Sequence, residues 1–237
     1  MVKNMEKLST ENYYVAYLDF LGMKKKIVND EKDKHLNNLK NIYQKAVEDK
    51  QYAIKILGKK IFIKIFSDNI VIAVKCSSND SKNKEIIKNI INLCGLIQIN
   101  SLKYGYLIRG AIVEDKFCKD DMFIYGKALV KAVYIEENTA IYPRIIIDKS
   151  LFNTIDSNSK FIKKDSDSYF YINSFYYFCN DCYKNFKEDI LKQLKENKEK
   201  EKQKIRWFIN RYNEYFEMKH KIGQAKNTEL ITEEEIS

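Results

Sequence analysis

Proline, histidine and long apolar runs are all scarce in this sequence. One proline and two histidines occur among its 237 residues. No apolar run reaches the ~18 residues that a transmembrane helix requires, and no apolar core of a signal peptide follows the charged N-terminus. We therefore expect a cytoplasmic protein with no membrane partner.

The five cysteines are an odd number, which favours free thiols over a disulfide framework. Cys179 and Cys182 form one C-x-x-C motif, and no second pair accompanies it. A structural zinc site needs four ligands, and the two histidines do not complete a set at a suitable spacing. The sequence therefore does not predict a zinc site.

The chain carries a formal charge of +9, from 42 lysines and arginines against 33 aspartates and glutamates. Such an excess favours nucleotides, nucleic acid or acidic membranes as ligands. Basic and acidic residues are interleaved, however, and form no separate arm, so the charge is a weak indicator. Apolar residues make up 45% of the chain and aromatic residues 13%, which excludes wholesale disorder and suits one substantial domain with an appendage.

Apolar periodicity predicts alternating strands and helices over most of the chain. Strands are predicted at 13–21, 106–113 and 142–148, hairpins at 61–74 and 161–172, and helices within 24–50, 84–103 and 126–137. This order is typical of a mixed α/β (α+β) fold with a mainly antiparallel sheet covered by helices. We assign residues 1–175 to this domain and 176–237 to a C-terminal helical extension that packs on the domain or mediates assembly.

Two aspartates occupy positions where a carboxylate is costly. Asp19 interrupts the apolar strand YYVAYLDFL, and Asp68 lies at the tip of the apolar hairpin. Burying an unpaired carboxylate costs several kcal/mol, so each aspartate is expected to have a cation nearby. Aspartates from neighbouring strands can hold two Mg²⁺ or Mn²⁺ ions, which suits in-line displacement at a triphosphate. The alternative is that Asp68 stabilises a turn and Asp19 pairs with Arg109.

Three basic residues interrupt apolar strands or adjoin the single proline. Lys64 lies in IFIKIF, where it either reaches a base or phosphate or extends to solvent from an edge strand. Arg109 in LIRGAI is either a triphosphate clamp or the ion-pair partner of an aspartate. Arg144 either binds phosphate or holds a loop. The pattern alone leaves these alternatives open.

YVAYLDFLG followed by KIFSDNIVIAV resembles the two metal-binding segments of class III nucleotidyl (adenylyl and guanylyl) cyclases. In those enzymes one aspartate ends the first strand and another follows glycine in a Lys-x-x-Gly-Asp hairpin. Here the hairpin holds Lys64 and Asp68, with Ser67 in place of the glycine. LIRGAI resembles the next cyclase strand, and YGKALVKAVYIEE the helix that follows it. The DFLG, SD, RGAI and YPRI segments are also similar to those of uncharacterised bacterial cyclase-like proteins.

The resemblance implies a ferredoxin-like palm fold that binds a nucleoside triphosphate and forms a head-to-tail homodimer. It implies that Asp19, Asp68 and the Phe20 carbonyl bind two Mg²⁺ or Mn²⁺ ions. The implied nucleotide-binding residues are Lys64, at the base-reading position of adenylyl cyclases, Ser67 and Gly22. The implied reaction is attack of the ribose 3′-hydroxyl on the α-phosphate, which gives a cyclic nucleotide and pyrophosphate. Bacterial relatives of this kind act in second-messenger signalling, including anti-phage defence.

The half of the cyclase site that stabilises the transition state is different here. Cyclases carry an asparagine and, four residues later, an arginine on the helix that YGKALVKAVYIEE resembles. The matching positions hold Val130 and Tyr134, and the base-reading aspartate falls on Lys127. Negative charge that develops on the α-phosphate needs a positioned cation. The candidates for this catalytic role are Lys127, Lys131, Arg109 and Arg144.

Three functions stand as hypotheses. The first is a divalent-metal-dependent nucleotidyl cyclase or a related nucleotidyltransferase. The second is a catalytically silent cyclase-like domain that binds a nucleotide and signals through a partner, which the missing asparagine and arginine favour. The third is a module that binds single-stranded nucleic acid. It is the least favoured, because Asp19 and Asp68 stand where RNA-binding sheets display aromatic residues.

Overall fold

The computed structural model describes residues 8–57, 61–120, 122–178, 186–222 and 230–236. Cys179 and Cys182 lie outside the described residues, while Cys94 and Cys118 are free thiols. None of the described helices is long and apolar enough to cross a membrane.

Fifteen α-helices and β-strands lie within the described residues, and they are numbered in chain order. They are β1 (Glu11–Phe20), α1 (Met23–Val28), α2 (Lys34–Leu57), β2 (Phe62–Phe66), β3 (Asn69–Lys75), α3 (Asp80–Leu102), β4 (Ile108–Lys119), β5 (Ile124–Tyr125), α4 (Lys127–Asn138), β6 (Ile145–Ile147), β7 (Ile162–Lys164), β8 (Phe170–Ile172), α5 (Phe186–Glu196), α6 (Glu199–Lys221) and α7 (Glu233–Ile236).

The strands form one sheet in the order β2-β3-β1-β4-β6-β8-β7, and β5 pairs with β4 at the side of this path. Only β4 and β6 run parallel among the described neighbours, and the other pairs are antiparallel. The prediction of a mixed α/β fold with a mainly antiparallel sheet is confirmed. The β4-β1-β3-β2 part, with α2 and α3 as its two crossovers, has the ferredoxin-like order.

Helices cover both faces of the central strands, as their continuous apolar sequences indicate. The even-numbered residues of β1 from Tyr14 to Phe20 pack with α2 and α3. Val15 and Tyr17 pack on the other face with residues of α4. Because side chains alternate along a strand, Asp19 lies on this second face, beside α4.

The region predicted as one helix within 24–50 contains two, α1 and α2. The Asp30 carboxylate accepts hydrogen bonds from the backbone N–H groups of His35, at 3.0 Å, and Leu36, at 2.9 Å. Asp33 adopts a positive φ of 53°. An acidic side chain on the first unpaired N–H groups starts a new helix, so the chain turns between α1 and α2.

The hairpin predicted over 161–172 is present as β7 and β8, and it extends the main sheet beyond β6. β4 is longer than the predicted strand 106–113 and continues to Lys119. Its second half pairs with the start of β1, where Tyr13 lies opposite Asp115.

The C-terminal helices pack against the end of the sheet where β1 finishes and β4 begins. Phe186 of α5 contacts the rings of Phe208 and Tyr212 on α6. Leu21 and Leu107, which adjoin the ends of β1 and β4, belong to the same apolar cluster. The helical segment therefore lies beside any site built at this end of the sheet.

A close backbone approach between β1 and β4 holds this end of the sheet together. A Cβ atom added at Gly110 would lie 2.3 Å from the Tyr17 carbonyl oxygen. Gly110→Ala is therefore expected to separate the two strands and to lower the free energy of unfolding by about 1–3 kcal/mol, the usual cost of overpacking. Urea denaturation followed by circular dichroism measures this change, and a variant as stable as the wild type would contradict the close approach.

Candidate active site

The two aspartates singled out in the sequence lie at the same end of the sheet. Asp19 is opposite Asn69 of β3 on one side and opposite Arg109 of β4 on the other. The Phe20 N–H donates to the Asp68 carbonyl oxygen at 3.1 Å. This bond fixes the β2–β3 turn beside the end of β1 and so brings the Asp68 backbone next to the residue after Asp19.

The β2–β3 turn is held by bonds from three sides. Ser67 has a φ of 52°, and its carbonyl oxygen accepts a hydrogen bond from the Tyr43 hydroxyl at 2.7 Å. Asn69 donates to the Asp68 carboxylate at 3.2 Å and accepts from the Tyr17 hydroxyl. A left-handed backbone favours glycine, which is the residue of the cyclase-like pattern at the Ser67 position. The turn therefore keeps the backbone conformation that this pattern requires.

Asp19, Arg109 and Glu136 form a half-buried charge cluster between β1, β4 and α4. Arg109 Nε lies 3.3 Å from Asp19 Oδ2 and also forms an ion pair with Glu136, whose side chain is only 3% exposed. Burial raises the pKa of Glu136 to about 7, against the lowering effect of Arg109. Burial and the nearby Asp68 charge also raise the pKa of Asp19, while Arg109 lowers it. One guanidinium thus incompletely compensates two carboxylates.

The predicted pairing of Asp19 with Arg109 is present, but sequence reasoning missed Glu136. The helical spacing of α4 indicates that Glu136 is buried. Ala128 and Ala132 lie on its buried face, and Glu136 is the next residue in this four-residue series. A carboxylate in a buried helical stripe needs a cation, and Arg109 is the cation that the fold brings to it.

The acidic residues present fit a divalent cation that is shared with a substrate. Among the described residues, no group of three or more His, Cys, Asp or Glu side chains is arranged to hold a metal ion. Asp19 and Asp68 nevertheless approach closely enough for the Asp68 charge to raise the pKa of Asp19. Mg²⁺ is commonly held by one or two carboxylates, with water and substrate phosphate as its other ligands. The Phe20 carbonyl is the backbone candidate beside this pair.

Lys64 lies on the Asp19 face of the sheet but not at its end. It is opposite Val71 of β3, which is opposite Tyr17 of β1. Strand spacing and rise place the Cα atoms of Lys64 and Asp19 roughly 12 Å apart. The Lys64 side chain spans only part of that distance. Gly22, with a φ of 72°, is the second residue after β1 and three residues after Asp19.

Lys127 lies at the opposite end of α4 from Glu136. Nine residues separate them, which corresponds to roughly 14 Å along a helix. Val130 and Tyr134, at the positions of the cyclase asparagine and arginine, are 72% and 64% exposed on the outer face of α4. Lys131 instead pairs with Asp148 at 2.6 Å. Within one chain, therefore, the α4 positions of the cyclase-like pattern do not meet Asp19.

The structure places Arg144 in an ion-pair network that holds the β7–β8 turn. Its guanidinium lies 2.5 Å from Asp165 and also pairs with Asp167, and it donates to the Thr139 carbonyl oxygen at 3.2 Å. The Arg144 side chain is only 2% exposed. These contacts match the alternative in which Arg144 holds a loop, and they engage both terminal nitrogens of its guanidinium.

Several cavities lie around the described part of the sheet, and two of them differ in their position relative to the charge cluster. A cavity of about 620 Å³ lies between α3 and residues 154–162. Its apolar lining belongs to the α2–α3 side of the sheet, away from Asp19. A second cavity, of about 440 Å³, opens between Leu21 and Gly22 on one side and α5 and α6 on the other. Its position next to the end of β1 makes it the cavity relevant to this site.

The raised pKa of Glu136 predicts a specific pH dependence of stability. The folded state keeps a proton on Glu136 up to pH about 7, while an unfolded glutamate loses it near pH 4.5. Stability from this group is therefore lost as the pH rises between these values. Without divalent cations, the melting temperature of the wild type minus that of Glu136→Gln should fall from pH about 5 to 8.

Glu137→Gln provides the matched control, because Glu137 is an exposed glutamate on the same helix. The melting temperature of the wild type minus that of Glu137→Gln should not fall in this way between pH about 5 and 8. A wild-type minus Glu136→Gln difference that stays constant with pH would contradict the assignment.

The network around Arg144 predicts a large loss of stability on substitution. Arg144→Met leaves buried Asp165 without its main cation, and breaking a buried ion pair costs about 3–5 kcal/mol. Lys163→Met is the control, because it removes the more exposed pair with Glu214 and should cost less than about 1 kcal/mol. Denaturant unfolding of both variants compares the two costs. Equal small losses would mean that Arg144 is not a structural anchor.

Neither a family model nor a curated protein matches the sequence. Solved structures similar to this chain include adenylyl and guanylyl cyclase domains. The monomeric guanylyl cyclase domain of the RhoGC fusion protein from the aquatic fungus Blastocladiella emersonii is 13% identical, has a TM-score of 0.50, and matches over 70% of this chain and 96% of that one. The adenylyl cyclase CyaB from P. aeruginosa is 13% identical over 70% of this chain and 95% of its own, with a TM-score of 0.48. At such identities the similarity to the fungal domain shows a shared fold.

Proposed function

We propose that the protein is a divalent-metal-dependent nucleotidyl cyclase that converts a nucleoside triphosphate to a cyclic nucleotide and pyrophosphate. The observation that carries this proposal is the meeting of Asp19 and Asp68 at one end of a ferredoxin-like sheet. The Phe20–Asp68 backbone bond and the β1–β3 pairing produce this meeting. The sequence resemblance and the fold shared with a guanylyl cyclase domain support the same reaction.

Asp19, Asp68 and the Phe20 carbonyl would hold Mg²⁺ or Mn²⁺. When bound, such ions activate the attacking ribose 3′-hydroxyl and neutralise charge on the phosphates. The protein contributes a turn that fixes Asp68 and a half-buried setting for Asp19, in which a cation is attracted strongly. Arg109 is the basic residue already beside Asp19, and it is our candidate for binding the α-phosphate.

The positions of Lys127 and Arg144 lead to different assignments. Lys127 is at the far end of α4 from Asp19, so it takes part only if a second copy of the chain brings it there. Such an arrangement agrees with the head-to-tail homodimer that the sequence resemblance implies. We assign Arg144 to the β7–β8 turn, because Asp165, Asp167 and Thr139 engage both terminal nitrogens of its guanidinium.

A second candidate is a silent nucleotide-binding domain of the same fold. Exposed Val130 and Tyr134 at the positions of the cyclase asparagine and arginine favour it. Binding to single-stranded nucleic acid through an open sheet has less support. Val15, Val71 and Ala111 are 0% exposed beneath α4, so the central strands offer no open aromatic platform.

The deciding experiment is incubation with the four ribonucleoside triphosphates and Mn²⁺, followed by liquid chromatography and mass spectrometry. We expect one cyclic nucleotide and pyrophosphate. Asp19→Asn and Asp68→Asn should each lower the rate about a hundredfold or more, since metal ions contribute several kcal/mol to transition-state stabilisation. The signalling role that the sequence resemblance implies, including anti-phage defence, belongs to the same proposal.

Asp80→Asn is the matched control, because Asp80 is an exposed aspartate at the start of α3. It should retain the wild-type rate. Melting temperatures of all three variants separate loss of activity from loss of folding. Full activity in both Asp19→Asn and Asp68→Asn would refute the metal assignment, and nucleotide binding without product would select the silent domain.

A further inference from the structure

The cavity of about 440 Å³ beside the end of β1 is lined by an unusual concentration of lysines. It lies between the Leu21–Gly22 turn with α1 on one side and α5 with α6 on the other. Five lysines and two glutamates line it, namely Lys25, Lys26, Lys34, Lys192, Lys204, Glu196 and Glu201. We call this cavity the lysine cleft. Basic and acidic residues are interleaved over the rest of the chain, so this local excess of positive charge favours an anionic ligand.

The surroundings of two lysines show that the cleft is partly shielded from water. The ammonium group of Lys26 lies 4.5 Å from the ring centre of Tyr106. Burial lowers the pKa of Lys26 to about 8, against the raising effect of Asp189. Burial also lowers the pKa of Lys204, and the charge of Arg109 lowers it further. A cation in such surroundings gains strongly from a bound anion, because the attraction is poorly screened.

The lysine cleft is lined by residues that adjoin the charge cluster in the chain. Leu21 and Gly22 line the cleft and follow Asp19 and Phe20 in the chain. Lys204 lies close enough to Asp19 to lower the pKa of that carboxyl and to be affected by it in turn. Lys204 therefore lines the cleft together with Leu21 and Gly22 and is also within electrostatic range of Asp19.

We propose that the lysine cleft binds the polyphosphate chain of the nucleotide, and that Lys204 of α6 contributes a phosphate-binding cation next to Asp19. The inference rests on the proposed function for the nucleotide, while polyphosphate binding follows from the cleft itself. Its volume is within the 300–1,000 Å³ of typical small-ligand sites. The C-terminal helices are then a wall of the site, and Lys204 supplies positive charge that Val130 and Tyr134 do not.

Isothermal titration calorimetry with inorganic tripolyphosphate and excess Mg²⁺ tests the cleft without any assumption about the base. The wild type should bind, and Lys204→Ala should bind about ten- to a hundredfold more weakly, the range expected for loss of one charge-assisted contact. Lys204→Arg retains the charge and should restore most of the affinity. Lys221→Ala removes an exposed lysine at the end of the same helix and should leave the affinity unchanged.

No tripolyphosphate binding by the folded wild type, or equal affinities of the wild type and Lys204→Ala, would overturn the inference. An equal loss in Lys221→Ala would also overturn it, since the effect would then reflect overall charge. Melting temperatures establish that each variant is folded, and Lys204→Arg tests the role of the charge if Lys204→Ala is unstable.

The same proteins in the cyclase assay separate this inference from the proposed function. Tripolyphosphate binding that depends on Lys204, without product from any nucleotide, would leave the cleft assignment intact and refute the cyclase. Cyclic product with full activity and unchanged binding in Lys204→Ala would leave the cyclase intact and refute the role of Lys204. Competition between tripolyphosphate and the nucleotide substrate is expected, because both would occupy the lysine cleft.

Discussion

Arg109 lies between Asp19 of β1 and Glu136 of α4, and the arrangement of the candidate site depends on this shared ion pair. The two carboxylates come from different layers of the fold, and each is at least partly removed from water. Without the guanidinium, α4 would bury Glu136 against the sheet with no cation to offset the loss of hydration. Asp19 and Asp68 lie at the same end of the sheet as this contact, and this is where we propose that a divalent cation binds.

Backbone geometry brings these charges together before any ligand is present. β1 pairs with β3 and β4 along most of its length, and the close approach at Gly110 keeps the β4 backbone against Tyr17. The Phe20–Asp68 bond then ties the β2–β3 turn to the end of β1. The acidic half of the site therefore rests on strands and a tight turn, which hold side chains more precisely than long loops do.

The basic residues of the candidate site come from other elements than the acidic ones. In cyclases it includes an asparagine and an arginine on the helix matched by α4, but Val130 and Tyr134 point outward here and carry no charge. The C-terminal helices instead bring Lys192 and Lys204 to the cavity next to β1. If the lysine cleft binds phosphates, helices outside the ferredoxin-like unit supply part of the positive charge that the phosphates require.

The sequence by itself predicted most of the strands and helices, and it singled out Asp19 and Asp68 as candidate site residues. Periodicity indicated the strands, the hairpin and the main helices, because burial on two faces leaves continuous apolar runs. A carboxylate inside such a run marked Asp19, and turn chemistry marked Asp68. Only the tertiary structure decided the partners of these groups. Glu136 and Lys204 lie far from Asp19 in the chain, and their charges affect Asp19 only because helix packing brings them near it. Arg144 pairs with Asp165 for a similar reason, because β7 and β8 extend the sheet beside β6.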